Sequence, residues 1–340
     1  EYLNLSADKG FHSLPLRVEL INRLKTMRFD VMTPVQAETL PAMLQGQDVL
    51  AQANTGSGKT AAYGLACLQP LNPKLFHVQS LILCPTRELA EQVTQSLRNL
   101  AREIGNTKIL SICGGVPLGP QIASLEHSAH IVVGTPGRVL KHLQKKTLHL
   151  SELDILVFDE ADRMLDMGFE DEINAILAFV PRPRQTLLFS ATFPEGVKAI
   201  RKKLGTDMVR FDVTDSSVPQ EIEQLWCAVE ESDRHQALVN VITNYGSSLN
   251  LVFCNTKIDC VEVAKKLAGH NISVAALHGD MEQKERNTTI IRFSNGSINV
   301  LVATDVAARG LDIEDVETVV NFSLPYQPEV YVHRVGRTGR

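Results

Sequence analysis

The residues best suited to chemistry lie between Asp48 and Gly64, in the run D-V-L-A-Q-A-N-T-G-S-G-K-T-A-A-Y-G. Val49, Leu50 and Ala51 predict a short buried strand, and Lys59 and Thr60 open an alanine-rich helix. The loop between them carries Thr55, Gly56, Ser57 and Gly58, with Ala53 where the general phosphate-loop pattern has its first glycine. Glycines there let successive backbone N–H groups turn toward one anion, beside the positive end of the helix dipole. Lys59 is spaced to reach the outer phosphates of a nucleotide, and the Thr60 hydroxyl to ligate Mg²⁺. By itself the loop predicts nucleotide phosphates and leaves open what their energy drives.

A second group of chemical residues begins about a hundred positions later. The apolar run Ile155–Phe158 ends in D-E-A-D, Asp159 to Asp162. Asp159, at the end of a buried strand, is the expected partner of Mg²⁺ opposite Thr60. Glu160 is then placed to orient and deprotonate an attacking water. Ser190 and Thr192, in S-A-T after a strand at Thr186–Phe189, carry hydroxyls suited to bonding Asp162 and passing a switch onward. Upstream, Gln36 in T-P-V-Q has a carboxamide that donates and accepts at once and so matches the N6/N7 edge of adenine. Phe29 supplies a ring to pack on the same base. A glutamine after Thr-Pro is also an ordinary helix start, and its position just ahead of the phosphate loop favours the adenine reading.

These residues must be positioned by alternating strands and helices. Strands at Ser80–Cys84, Ile109–Ile112 and Ile131–Val133 end in P-T-R-E-L-A, in Gly114-Gly115 and in T-P-G-R. Ligand sites in open α/β sheets lie at the carboxyl ends of strands, so Thr86, Arg87, Gly115, Thr135 and Arg138 read as a row of phosphate contacts. From Gly205 to Gln220 turn residues and acidic groups interrupt the rhythm. The second half predicts strands near Leu225–Val229, Leu249–Cys254, Val274–Leu277, Asn299–Ala303 and Val316–Asn321, without a second G-K-[ST]. It closes on H-R-V-G-R-T-G-R, where Arg337 and Arg340, three apart, supply the arginine finger that the first half lacks. The expected organisation is a nucleotide-binding domain over 1–208, a linker over 209–220 and a second domain over 221–340.

Composition bounds the function class without naming it. A chain of 340 residues, 44% hydrophobic and 21% charged, has the length for two domains with separate cores. No run approaches the roughly 18 apolar residues of a membrane helix, and no charged-then-apolar leader follows Glu1. Six cysteines with no C-x-x-C pair point to reduced thiols and a cytoplasmic setting. The net charge of −5 opposes nucleic-acid binding unless basic groups gather along one groove. On these terms a DNA translocase, an RNA clamp that does not unwind, and a small-molecule kinase all stay open beside an RNA helicase.

Taken in order, T-P-V-Q, A-N-T-G-S-G-K-T, P-T-R-E-L-A, G-G, T-P-G-R, D-E-A-D, S-A-T, V-F-C-N-T, A-T-D-V-A-A-R-G-L-D and H-R-V-G-R-T-G-R resemble the DEAD-box ATP-dependent RNA helicases over essentially the whole chain. The resemblance implies an α/β fold of two tandem RecA-like domains, each a parallel sheet flanked by helices, closing over ATP while gripping one RNA strand. It implies an RNA-stimulated ATPase that locally separates short RNA duplexes in ribosome assembly or RNA remodelling, acting as a monomer away from membranes. It carries Phe29 and Gln36 to adenine, Asp312 to the ribose, Arg337 and Arg340 to the γ-phosphate, and Lys59, Thr60, Asp159 and Glu160 to Mg-ATP hydrolysis. It adds Pro85, Thr256, Arg286 and Thr304 to the RNA contacts, and His333 to the coupling set of Asp162, Ser190 and Thr192. Arg28 departs from the pattern, standing where the family often has glycine, as does Met32 where it often has proline. The last motif is cut at Arg340, which implies that the second domain runs further. Closely similar members add a C-terminal RNA-recognition domain, so rRNA specificity is expected to reside outside these residues.

Overall fold

Apolar runs bounded by turn residues become strands buried on both faces, which is what a parallel sheet covered by helices on each side requires. The computed structural model describes residues 10–53, 56–193, 195–204, 207–213, 222–245, 248–308, 316–326 and 328–338. The chain divides into two units, Glu1–Asp215 and Ser216–Arg340, each built on its own parallel sheet.

In the first unit α1 (Val18–Thr26) and α2 (Pro34–Leu44) precede β1 (Val49–Gln52) and α3 (Lys59–Leu68). Strand and helix then alternate through β2 (Ser80–Leu83), α4 (Arg87–Leu100), β3 (Ile109–Ile112), α5 (Leu118–Leu125), β4 (Ile131–Gly134) and α6 (Pro136–Gln144). β5 (Ile155–Phe158), α7 (Ala161–Asp166), α8 (Glu170–Leu177), β6 (Gln185–Ser190), α9 (Glu195–Leu204) and β7 (Val209–Asp212) complete it. The sheet order is β3-β4-β2-β5-β6-β1-β7. Side chains alternate across it. Leu81, Leu83, Leu156 and Phe158 pack with Val139, Ile173 and Ile176 on one face, while Ile82, Val133, Val157 and Phe189 pack with Tyr63, Val93 and Leu97 on the other. Each helix presents a matching stripe; in α4 it is Ala90, Val93, Thr94, Leu97 and Leu100. β3, β4 and α6 close up only because position 134 is glycine. A Cβ there would lie 2.5 Å from the Ile112 carbonyl oxygen and 2.6 Å from Val139 Cγ2.

The segment from Phe11 to Gln36 reads as one helical stretch but is broken. A 3₁₀ turn at Phe11–Ser13 and α1 come first, and α2 starts only at Pro34. Arg28 marks the break with φ of 58°, a left-handed conformation that costs a residue bearing a Cβ about 1–2 kcal/mol. This explains why glycine suits the position. After subtracting the chain entropy that glycine itself gives up, Arg28→Gly is expected to raise unfolding stability by about 0.5–1 kcal/mol. Denaturant unfolding of the two proteins measures it.

The boundary of the first unit is also later than expected. Val209–Asp212, assigned to a linker, pairs in parallel with β1 from Val49↔Val209 to Gln52↔Asp212. The Val213 N–H continues the ladder to the Gln52 carbonyl at 2.9 Å. V-R-F-D is short and mostly exposed, so its own composition does not announce a strand; the free edge of β1 recruits it. Positions 214–220 of the expected linker lie outside the described residues.

The second unit carries α10 (Arg234–Tyr245), β8 (Asn250–Cys254), α11 (Lys257–Gly269), β9 (Val274–Leu277) and α12 (Gln283–Ser294). β10 (Val300–Thr304), α13 (Asp305–Ala308), β11 (Thr318–Asn321) and α14 (Pro328–Val335) follow, in the sheet order β11-β8-β10-β9. The strand expected at Leu225–Val229 does not form. Leu225 and Trp226 are 74% and 89% exposed and their backbone joins no ladder. An apolar run makes a strand only where a sheet edge pairs with it, and among the described residues β11 pairs with β8 alone.

Candidate nucleotide and nucleic-acid site

In the first unit the sheet order sets the carboxyl ends of β5, β6 and β1 side by side. Lys59 begins α3 and is buried, its Nζ donating to the Ala53 carbonyl at 3.2 Å. Gly58 caps that helix with φ of +90°, and a Cβ on it would lie 2.6 Å from Gln36 Nε2. Both backbone shape and crowding therefore demand glycine. Gln36 is buried as well. Its Oε1 accepts from the Thr33 N–H at 2.9 Å and its Nε2 donates to the Gly58 carbonyl at 3.1 Å. The structure shows the helix-start role, one carboxamide completing a capping box, and adds a bond from it to the phosphate loop. Phe29 is 38% exposed. Gly56 and Ser57 lie in the described part of the loop, and Thr55 outside the described residues.

The strand-end carboxylates are buried and separately held. Tyr63 Oη donates to Asp159 Oδ2 at 2.8 Å, while Asp159 Oδ1 is buried with no hydrogen-bond partner. Burial pushes the Asp159 carboxyl up, nearby Lys59 pulls it down, and Glu160 raises it again. Glu160 takes a left-handed φ of 53° and accepts from Arg163 Nη1 at 2.7 Å, both side chains being almost fully buried. Among the described residues no group of three or more His, Cys, Asp or Glu could cage a metal ion. A cation that arrives with phosphates and waters would need few protein ligands, and one bare carboxylate oxygen would suit it.

Asp162 ties the strand ends together. Its Oδ2 accepts from the Thr192 N–H and hydroxyl, each at 2.8 Å. Ser190 Oγ accepts from the Asp162 N–H at 3.2 Å and donates to the Thr192 carbonyl at 2.6 Å. Gln52, ending β1, donates to the Ala191 carbonyl.

The ends of β2, β4 and β3 form the neighbouring stretch of the same sheet edge. Pro85 leads to Thr86, which caps α4 by accepting from the Leu89 N–H, and Arg87 is the first helical residue. Thr135 is the residue before α6. Arg138 donates to Gln121 Oε1 at 3.0 Å and to the Val116 carbonyl at 2.9 Å, next to Gly115. Gln121 donates in turn to the Cys113 carbonyl, so its oxygen faces both Arg138 and His142 Nε2. Burial holds His142 below the usual imidazole range, and the neutral ring donates from Nε2 while Nδ1 faces the Thr147 hydroxyl at 2.8 Å.

In the second unit Thr256 caps α11 by accepting from the Asp259 N–H, repeating the cap of Thr86. Thr304 ends β10 and is buried, and Arg286 Nη2 reaches the Ala307 carbonyl at 3.4 Å. The expected fingers divide: Arg337 is described and buried, whereas Arg340, like Asp312, lies outside the described residues. His333 belongs to α14. The dominant basic side chain is Arg334. Its Nε and Nη2 clamp Asp305 at 2.7 Å each, Nη2 also meets Asn255 Oδ1, and Nη1 meets Asn321 Oδ1 and the Ser323 carbonyl. All five N–H donors are used, joining the ends of β8, β10 and β11.

Comparison with known proteins settles the family. Residues 33–200 match the family model of DEAD/DEAH box helicases, and residues 233–340 that of the helicase conserved C-terminal domain. The chain is 52% identical over 320 residues to the ATP-dependent RNA helicase DbpA of Escherichia coli, a match covering 94% of this chain and 70% of that protein. The chain belongs to the DEAD-box ATP-dependent RNA helicases. It is 43% identical to the DEAD-box ATP-dependent RNA helicase CshA of Bacillus cereus, covering 97% of this chain but 63% of that relative. A structure of S. cerevisiae Dbp5 bound to RNA and ADP BeF3 superposes with a TM-score of 0.88 at 32% identity, covering 98% of this chain and 87% of that one. A DEAD box protein from Methanococcus jannaschii gives 0.60 at 38% identity, covering 97% and 90%. The tandem RecA-like architecture is that of the family.

Several residues around the candidate sites of this DEAD-box helicase escape a reading by motif. Tyr63 follows Lys59 by four positions and Arg163 follows Glu160 by three, so helical spacing was the available signal for both. Gln121, beside the candidate RNA contacts, had none, since Arg138 and His142 lie 17 and 21 positions away from it.

Proposed function

We propose that this DEAD-box helicase uses ATP to separate short RNA duplexes locally, gripping one strand by its backbone. The observation that carries the reading is the bare, buried Oδ1 of Asp159 beside Lys59 and the phosphate loop. Lys59 and the loop amides bind the outer phosphates, and Phe29 and Gln36 take adenine. Thr60 and Asp159 hold Mg²⁺, which neutralises charge on the phosphates when bound. Glu160 orients the attacking water and receives its proton. Arg337 and Arg340 stabilise charge on the γ-phosphate, a role worth roughly 10³–10⁵ in rate for an added arginine. Asp312 takes the ribose, and Asp162, Ser190, Thr192 and His333 couple ATP to RNA.

Pro85, Thr86, Arg87, Gly115, Thr135, Arg138, Thr256, Arg286 and Thr304 form the RNA grip. That a structural neighbour, Dbp5, is bound to RNA supports RNA as the ligand, and the row of strand ends in the first sheet supports the assignment. A backbone grip implies weak sequence preference and a steep salt dependence. The net charge of −5 is compatible with it because local contacts decide binding. Ribosome assembly or RNA remodelling is the setting this reading gives the activity. No helix among the described residues is long and apolar enough to cross a membrane; free thiols, five of the six buried, fit a cytoplasmic setting, and the protein acts as a monomer in this reading.

ATP turnover with single-stranded RNA, with DNA of the same sequence and with neither, together with release of a labelled strand from a short RNA duplex, tests the reading. RNA-specific stimulation with ATP-dependent release is expected. Equal stimulation by DNA would favour a translocase, and stimulation without release an RNA clamp. Gln121→Leu keeps volume but removes the acceptor that steadies Arg138. It is expected to raise the RNA concentration for half-maximal ATPase about tenfold, the scale of one lost charged hydrogen bond, with the KM for ATP unchanged.

A further inference from the structure

Tyr63 is completely buried on α3, one turn after Lys59. Its ring is held against Phe189, with centroids 5.5 Å apart at 55°. The phenol O–H donates to Asp159 Oδ2 at 2.8 Å. The other carboxylate oxygen, Asp159 Oδ1, is buried with no hydrogen-bond partner. The phenol thus holds one oxygen of the carboxylate and leaves the other bare.

We propose that Tyr63 is a positioning residue for the divalent cation, its phenol pinning Asp159 Oδ2 so that Oδ1 is turned toward the metal. The proposal rests on the assignment of Thr60 and Asp159 to that cation. A carboxylate pinned at Oδ2 cannot swing Oδ1 away. Outer partners of this kind typically govern metal affinity by 10–100-fold. Tyr63→Phe would keep the ring packing and delete that bond.

The test uses the 340-residue protein and Mn²⁺ as the probe, its binding to the ADP complex followed by loss of the free-ion EPR signal. ADP affinity in EDTA is measured in parallel with a fluorescent ADP. Tyr63→Phe is expected to weaken Mn²⁺ binding to the ADP complex by 10–100-fold while ADP affinity in EDTA stays within twofold of wild type. Tyr63→Met, a second side chain without a hydroxyl, should reproduce the loss. Unchanged Mn²⁺ affinity would overturn the proposal, as would a parallel fall in EDTA, which would make Tyr63 a general support of the phosphate loop. If the wild-type ADP complex binds Mn²⁺ no better than free ADP, the assignment of Thr60 and Asp159 fails and the proposal with it.

Discussion

Glu160→Gln should lower RNA-stimulated ATP turnover by roughly 10²–10⁴-fold, the contribution typical of one positioned general base. The amide keeps an oxygen for the 2.7 Å bond from Arg163 but cannot receive a proton. Binding of ATP and RNA should persist, so the variant is expected to accumulate on RNA in an ATP-bound state. Single-turnover hydrolysis beside RNA affinity measured with ATP makes the distinction. Turnover within tenfold of wild type would remove Glu160 from the chemistry. The left-handed backbone at Glu160 and its partner Arg163 fix the carboxylate from two directions, whereas the Asp162 carboxylate accepts from Thr192.

The largest stability effect is expected at Arg334. Arg334→Leu should destabilise the second unit by about 3–5 kcal/mol, the cost of leaving one member of a buried ion pair alone. Asp305 would lose both of its guanidinium bonds, and Asn255, Asn321 and the Ser323 carbonyl one each. Lysine should not rescue it, because a single ammonium cannot serve four separate groups held in a plane. The cation also rests over the Phe253 ring, 5.0 Å from its centroid. Amide hydrogen exchange in Asn250–Cys254, Val300–Thr304 and Thr318–Asn321 should accelerate together, with the first sheet unaffected. Acceleration confined to α14 would show that the three strand ends do not depend on this side chain.

Arg334 also shows where reading by sequence reaches its limit. R-x-x-R-x-x-R presents three arginines at equal spacing, and nothing local says that the first faces inward. Its partners lie 11 to 79 positions away, so its burial is a property of the sheet order. The first-unit strands were legible because burial on both faces of a parallel sheet leaves uninterrupted apolar runs such as Ile155–Phe158. The phosphate loop was legible because its glycines and Lys59 are contiguous. Val209–Asp212 and Leu225–Val229 fail in opposite directions for one reason. The first is a mixed run that pairs along β1, the second an apolar run that pairs with no strand, and pairing is a relation between segments that neither contains. Gln36 was legible in type and only half legible in role, since its bond to Gly58 joins α2 to a loop more than twenty residues on.

The pairing of β7 with β1 has a practical bearing on how the nucleotide half can be dissected. β1 leads straight into the phosphate loop and is an interior strand only because Val209–Val213 lies along its outer side. A fragment trimmed at residue 208 would strip the amide and carbonyl groups of Val49–Gln52 on that flank and offer them to any passing chain. Self-association of such a fragment would then report an uncovered seam and say nothing about oligomers of the whole protein.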